Sequence, residues 1–118
     1  MTVKRIVANI ATSSIPEVRA FYTELFGLSV AMDHGWIATL VSGETATTQI
    51  SIATEGGSGT PVPDFSIEVD DVDAIHAAAI RRGCDIVYAL TDEPWGVRRF
   101  YVRDPAGKIL NVLSHCAH

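Results

Sequence analysis

The chain has 118 residues, of which 47% are hydrophobic and 19% charged, the balance of one globular domain with a real core. With 9 Lys and Arg against 14 Asp and Glu, the net charge is −5, which excludes the basic footprint of a nucleic-acid binder and suits a neutral or cationic ligand. No apolar run approaches the length of a membrane span and the first residues carry no secretory signal, so the expectation is a cytoplasmic protein, off the membrane, with Cys84 and Cys116 as reduced thiols.

Ile6, Ala8 and Ile10 alternate with Arg5, Val7 and Asn9, the mark of a half-buried strand. Ser14 with Pro16 and Glu17 has the spacing of a capped helix start. Val18, Phe21, Tyr22, Leu25 and Phe26 recur at helical spacing as a core-facing stripe, and Gly27 predicts the helix stop. Three strands are expected next, near 28–32, 36–42 and 47–53, with Gly35 and Gly43 between them. Residues 55–63, EGGSGTPVP, read as a connection.

The second half then repeats the first in pattern and punctuation. Phe65, Ile67 and Val69 alternate with Asp64, Ser66 and Glu68, and Asp70 with Asp73 gives an acidic helix start. Val72, Ile75 and Ala79 supply the buried helix face, and Gly83 stops the helix as Gly27 stops the first. Strands near 84–89, 97–103 and 109–114 complete the copy, the last two joined by the turn Asp104-Pro105-Ala106-Gly107. The expected fold is α+β: one domain of two β-α-β-β-β modules, 1–54 and 64–118, joined by 55–63, with any binding site between the modules.

Strand alternation sorts each sheet into two faces. Ile6/Ala8/Ile10, Ile50/Ile52, Phe65/Ile67/Val69 and Leu110/Val112 are expected to face the helices. Arg5/Val7/Asn9, Thr47/Gln49/Ser51, Asp64/Ser66/Glu68 and Ile109/Asn111/Leu113 then form the opposite, more polar face. Arg98 shares one face of its strand with Phe100 and Val102, and Arg99 shares the other with Tyr101 and Arg103, so one arginine can reach the ligand face. Trp36 and Trp95, the two tryptophans, lie outside the helix stripes and suit either a flat ligand or the edge of the core. Among the histidines, His34 is placed in a turn, His76 on an exposed helix position, and His115 and His118 in a solvated tail beside Cys116. No GxSxG element and no phosphate loop is present.

These features resemble the vicinal oxygen chelate superfamily, which includes glyoxalase I, extradiol dioxygenases and bleomycin-resistance proteins. The resemblance is carried by Phe21-Tyr22 through Phe26-Gly27, by Glu68-Val69-Asp70-Asp71-Val72-Asp73, and by Phe100-Tyr101-Val102-Arg103-Asp104-Pro105-Ala106-Gly107-Lys108. It implies paired modules whose sheets curl around a concave cavity, usually in a homodimer. It also implies that the metal-ligand positions of metal-using relatives fall on Val7, Gln49, Asp64 and Asn111. Valine has no donor atom and the two amides offer neutral oxygens, so a divalent metal is not expected. Trp95, Gly96, Arg98 and Phe100 match a Trp-Gly-x-Arg-x-Phe run of bleomycin-resistance-like relatives, which implies sequestration of a compound such as an antibiotic. The expected site is therefore Trp36, Gln49, Asp64, Glu68, Trp95, Arg98, Phe100 and Asn111, binding an aromatic or cationic molecule without chemistry. The alternative is a lyase, isomerase or dioxygenase of the same superfamily, metal-dependent or using Asp64 or Glu68 as base.

Overall fold

A computed structural model describes residues 8–43 and 51–115 of the protein. The strand expected to begin before Ala8, most of the strand expected over 47–53, and Val7, Gln49, Cys116 and His118 lie outside the described residues; Ala8–Ile10 and Ser51–Ala53 are not in strand. The chain divides into two compact units, Met1–Ala53 and Thr54–His118. Among the described residues there are two helices and six strands in two sheets, and no helix is long and apolar enough to cross a membrane.

The first unit contains α1 (Ile15–Phe26), β1 (Ser29–Asp33) and β2 (Ala38–Val41). Val18, Phe21, Tyr22 and Leu25 are the buried face of α1, as their spacing requires, and Phe21 packs edge-on against Tyr22 with ring centroids 5.0 Å apart. Ser14 holds the N-cap position but makes no side-chain cap bond. Instead the Thr12 hydroxyl accepts the Ser14 N–H at 3.0 Å, so the expected capping box is replaced by a turn one step earlier. Gly27 ends the helix at φ 69°, its N–H bonded to Thr23 O at 3.1 Å. β1 and β2 form an antiparallel hairpin, and Arg19 of α1 pairs with Asp33 at its turn. Trp36 belongs to this turn rather than to a strand, because Asp33 and Gly35 shape the tip: the Asp33 carboxylate accepts the Gly35 N–H at 2.9 Å.

The second unit realises the β-α-β-β-β pattern in full: β3 (Phe65–Glu68), α2 (Val72–Arg82), β4 (Asp85–Asp92), β5 (Val97–Arg103) and β6 (Ile109–His115). The sheet order is β3-β6-β5-β4. β3 pairs parallel with β6, and β6–β5 and β5–β4 are antiparallel. β3 and β4 thus run parallel at opposite edges, and α2 makes the crossover that parallel strands need. Asp71 caps α2 by accepting the Ala74 N–H at 3.1 Å, and Gly83 closes it at φ 75°. The Ser114 hydroxyl, on β6, accepts the Val72 N–H at 3.0 Å and donates to Val69 O at 2.8 Å, tying the helix entrance to the sheet.

Phe100, Val102, Leu110 and Val112 form the core, each 0% exposed. Cross-strand register puts Phe100 opposite Val112 and Val102 opposite Leu110, on the side where His76 of α2 meets the Phe100 ring edge-on at 5.0 Å. His76, expected exposed, is half-buried for this reason. Asp104 is 4% exposed because its carboxylate turns back to accept the N–H groups of Ala106 and Lys108 at 2.9 and 2.8 Å, and the Asp104–Gly107 turn is closed by Gly107 N–H on Asp104 O.

Candidate functional site

In the second unit the sheet face opposite α2 follows directly from the register. Tyr101 lies opposite Asn111 and Arg99 opposite Leu113, and Ser66 lies opposite Asn111 and Glu68 opposite Leu113. Asp64, Ser66 and Glu68 are exposed along the β3 edge of this face, while Phe65 and Ile67 between them are half-buried on the helix side. The alternation read from the sequence therefore holds for these strands.

Four of the expected site residues lie on or beside this face, Asp64 and Glu68 along its β3 edge and Trp95 at the β4–β5 turn. The Asn111 amide donates to Ser66 Oγ at 3.1 Å, whereas its Oδ1 is buried and has no hydrogen-bond partner among the described residues. Such an atom lacks a donor, and an unmade bond to a buried polar group costs its full desolvation. Asp64 Oδ2 accepts the Ile109 N–H at 2.7 Å, and Asp64 N–H donates to Ile109 O at 2.8 Å, so this carboxylate completes the β3–β6 ladder. Glu68 Oε2 is 2.7 Å from His115 Nδ1, with both side chains well exposed. His115 is thus the last residue of β6 rather than part of a solvated tail. Trp95 sits in the β4–β5 turn and is 52% exposed.

Three expected site residues lie elsewhere. Arg98 is on the helix side of β5, where its guanidinium holds Asp73 of α2 at 2.9 Å and Asp92 at 3.2 Å. The Arg98 guanidinium lowers the pKa of Asp73, and Asp73 and then Asp92 raise that of Arg98. Phe100 is core, buried against His76. The reason is the parity of β5: Arg98, Phe100 and Val102 point one way, and α2 covers that side. Trp36 stands at the β1–β2 turn of the first unit, 78% exposed. Gln49 lies outside the described residues.

Of the two adjacent arginines, Arg99 takes the face opposite α2, and it organises a cluster that the sequence reading missed. Its guanidinium pairs with Glu93 at 2.7 Å, with the side chains 4% and 2% exposed. Its centre lies 5.3, 5.1 and 5.0 Å from the ring centroids of Tyr88, Trp95 and Tyr101, within cation–π range. Glu93 also accepts from Tyr88 Oη and Ser58 Oγ, each at 3.2 Å. Residues 55–63, expected as a connection between modules, belong to the second unit and are bound down here. Gly56 O accepts from Arg99 Nη1 at 2.8 Å, and Thr60 Oγ1 bonds Tyr101 Oη at 2.9 Å. The signal available in sequence was only the shared parity of Arg99 and Tyr101. Cys84 is a half-buried free thiol whose pKa burial raises, so it offers little thiolate for chemistry.

The duplicated pattern and this second-unit topology agree with comparison to known proteins. The model of the Glyoxalase/Bleomycin resistance protein/Dioxygenase superfamily matches residues 3–112. The chain belongs to this superfamily. Among solved structures it resembles TnmS3, an antibiotic binding protein from Streptomyces sp. CB03234, with 20% identity, TM-score 0.69 and coverage of 98% of this chain and 96% of that one. It resembles TioX from Micromonospora sp. ML1 at 22% identity, TM-score 0.64 and coverage of 96% and 97%. It equally resembles a lactoylglutathione lyase from Agrobacterium tumefaciens at 17% identity, TM-score 0.68 and coverage of 96% and 92%. A binder and an enzyme are matched alike, so the likeness is one of fold and function must be argued from the site. Among curated proteins, none matches the sequence.

Proposed function

We propose that this superfamily member binds a small organic molecule, aromatic or cationic, on the second-unit sheet face opposite α2, without a metal and without chemical turnover. The observation that carries the reading is Trp95: an indole 52% exposed, yet backed by Arg99 at 5.1 Å. A held aromatic surface open to solvent is suited to a flat ligand, because little side-chain freedom is lost on binding. The net charge of −5 favours a cation, and the antibiotic binding of TnmS3 makes an antibiotic a natural class to test. On this reading the protein works as a cytoplasmic homodimer.

The donor set supports the metal-free part. Of the positions matched to the superfamily's metal ligands, Val7 has no donor, Gln49 and Asn111 offer neutral amides, and the Asp64 carboxylate is already engaged by the Ile109 N–H. Among the described residues no three His, Cys, Asp or Glu side chains group as a metal site. This set does not fit a divalent transition ion, which requires imidazole or carboxylate donors.

The test is native mass spectrometry of freshly purified protein, followed by titration with aromatic cations while tryptophan emission is read. A metal-free dimer whose emission is quenched saturably, with quenching lost in Trp95→Phe, is the expected result. A stoichiometric metal surviving dialysis, or no quenching by any such compound, would sink the proposal.

A second reading has one observation in its favour. Glu68 and His115 form an exposed carboxylate–imidazole pair at 2.7 Å on the same face, an arrangement able to take a proton from a bound substrate. Turnover abolished by Glu68→Gln while ligand binding persists would favour this enzyme reading.

A further inference from the structure

We infer that Arg99 is the positioning residue of the ligand face: it fixes the Trp95 indole and the 56–60 backbone in one arrangement before any ligand arrives. The inference rests on the reading of this face as the binding surface, but its structural premise can be tested without a ligand.

A guanidinium has five N–H donors in a rigid plane. In Arg99 all are spoken for within the second unit. Nε and Nη2 lie 2.9 and 2.7 Å from Glu93 Oε2. Nη1 donates to Gly56 O at 2.8 Å and to Tyr101 Oη at 3.1 Å, and Nη2 reaches Gly57 O at 3.3 Å. One flat group therefore joins the β4–β5 turn, the sheet and the 56–60 segment. Trp95 is backed by that guanidinium, 5.1 Å from its ring centroid, and its edge faces Gly57. A Cβ at Gly57 would stand 2.7 Å from Trp95 Cη2, closer than real Cβ contacts allow, and Gly57 has φ +86°. A side chain at residue 57 would have to push the indole aside, and the Gly57–Ser58 backbone is tied to Arg99 and Glu93.

Ser58 itself has φ 52°, between Gly57 at 86° and Gly59 at 75°. A non-glycine residue in the left-handed region carries strain that its surroundings must hold. The Ser58 hydroxyl lies 3.2 Å from each Glu93 carboxylate oxygen. Glu93 is consequently shared between Arg99 and the strained residue, and the segment and the indole are held by the same pair of charges. Binding to a surface ordered in advance avoids the ordering cost that a mobile tryptophan and loop would impose on the ligand.

The experiment uses the full chain carrying Trp36→Phe, so that Trp95 is the sole emitter. Acrylamide quenching reads the mobility and access of the indole, and acridine orange serves as the flat cationic probe. Arg99→Met, which keeps bulk and removes the fork, is expected to raise the quenching constant from that of a half-exposed indole towards that of a free one and to weaken acridine orange binding, with the far-UV circular dichroism unchanged. Arg99→Lys keeps a charge beside Glu93 but presents no plane, and is expected to leave Trp95 nearly as accessible as Arg99→Met does. Quenching equal to the parent in folded Arg99→Met or Arg99→Lys would overturn the inference. Should Arg99→Met fail to fold, Gly57→Ala decides: it leaves Arg99 intact and pushes on Trp95, so shifted emission is expected, and emission identical to the parent would overturn the premise. If acridine orange fails to bind the parent protein, the binding reading loses its support while the quenching result still decides the role of Arg99.

Discussion

Arg99 and Glu93 are paired at 2.7 Å with side chains 4% and 2% exposed. Burying two charges costs much of what their attraction returns, so such a pair specifies geometry more than it adds stability. Removing one partner is different, since the other is left charged and dry. Arg99→Ala is expected to lower unfolding stability by about 3–5 kcal/mol, measured by urea denaturation. The double variant Arg99→Met with Glu93→Met should recover much of that loss, because no lone charge remains. Additive losses in the double variant would show that the two side chains act independently.

Gly56 has no unusual φ, yet a Cβ there would lie 2.3 Å from Pro61 O and 2.4 Å from Tyr101 Oη. A backbone oxygen cannot swing away as a side chain can. Gly56→Ala should therefore destabilise by about 1–3 kcal/mol, the usual cost of overpacking. Gly59→Ala meets nothing within 4 Å but has φ +75°, so only backbone strain of about 1 kcal/mol is expected. Thermal unfolding of both variants separates the crowding effect from the conformational one.

Phe100 and Trp36 were expected to serve together at a ligand, and their burial separates them. Phe100 is 0% exposed and Trp36 is 78% exposed. Phe100→Ala should cost about 3–5 kcal/mol, as large-to-small core changes do. Trp36→Phe should stay within about 0.5 kcal/mol of the parent, as for an exposed side chain. Comparable losses in calorimetry would mean that the Trp36 ring is covered in solution.

Asp73 and Arg98 give a pH dependence with a definite sign. The Arg98 guanidinium holds the Asp73 carboxyl below its ordinary value of 3.8. A carboxylate depressed in the folded state contributes stability above its unfolded pKa and loses it as pH falls through the folded one. The effect is therefore complete at neutral pH and disappears only below about pH 4. Carbon-detected NMR titration should find Asp73 titrating below its ordinary value of 3.8, and Arg98→Gln should return it towards that value. Because the pair is exposed, the accompanying change in stability should be small.

Much of the fold was legible in the sequence because its signals are local. The helix stripes, the αL glycines Gly27 and Gly83, the period-two alternation of Phe65–Glu68 and the Asp104–Gly107 turn each depend on a few neighbouring residues and the geometry of one element. The faces of β3 and β6 followed from the same parity, which is how Asp64, Glu68 and Asn111 came to be placed on one side. The motif match of Arg98 and Phe100 failed against that parity: position in a run says nothing about which side a helix will cover. That choice belonged to α2, whose crossover buries Phe100 and leaves Arg99 on the other face. Only the tertiary structure could join Gly56 and Gly57 to Arg99, or Ser58 to Glu93, because each contact links residues far apart in the chain. The sequence by itself determined both helices, the strand order of the second half and the two faces of β3 and β6. Long-range packing decided which polar groups were consumed in building the second unit and which side chains, like the indole of Trp95, stay half exposed.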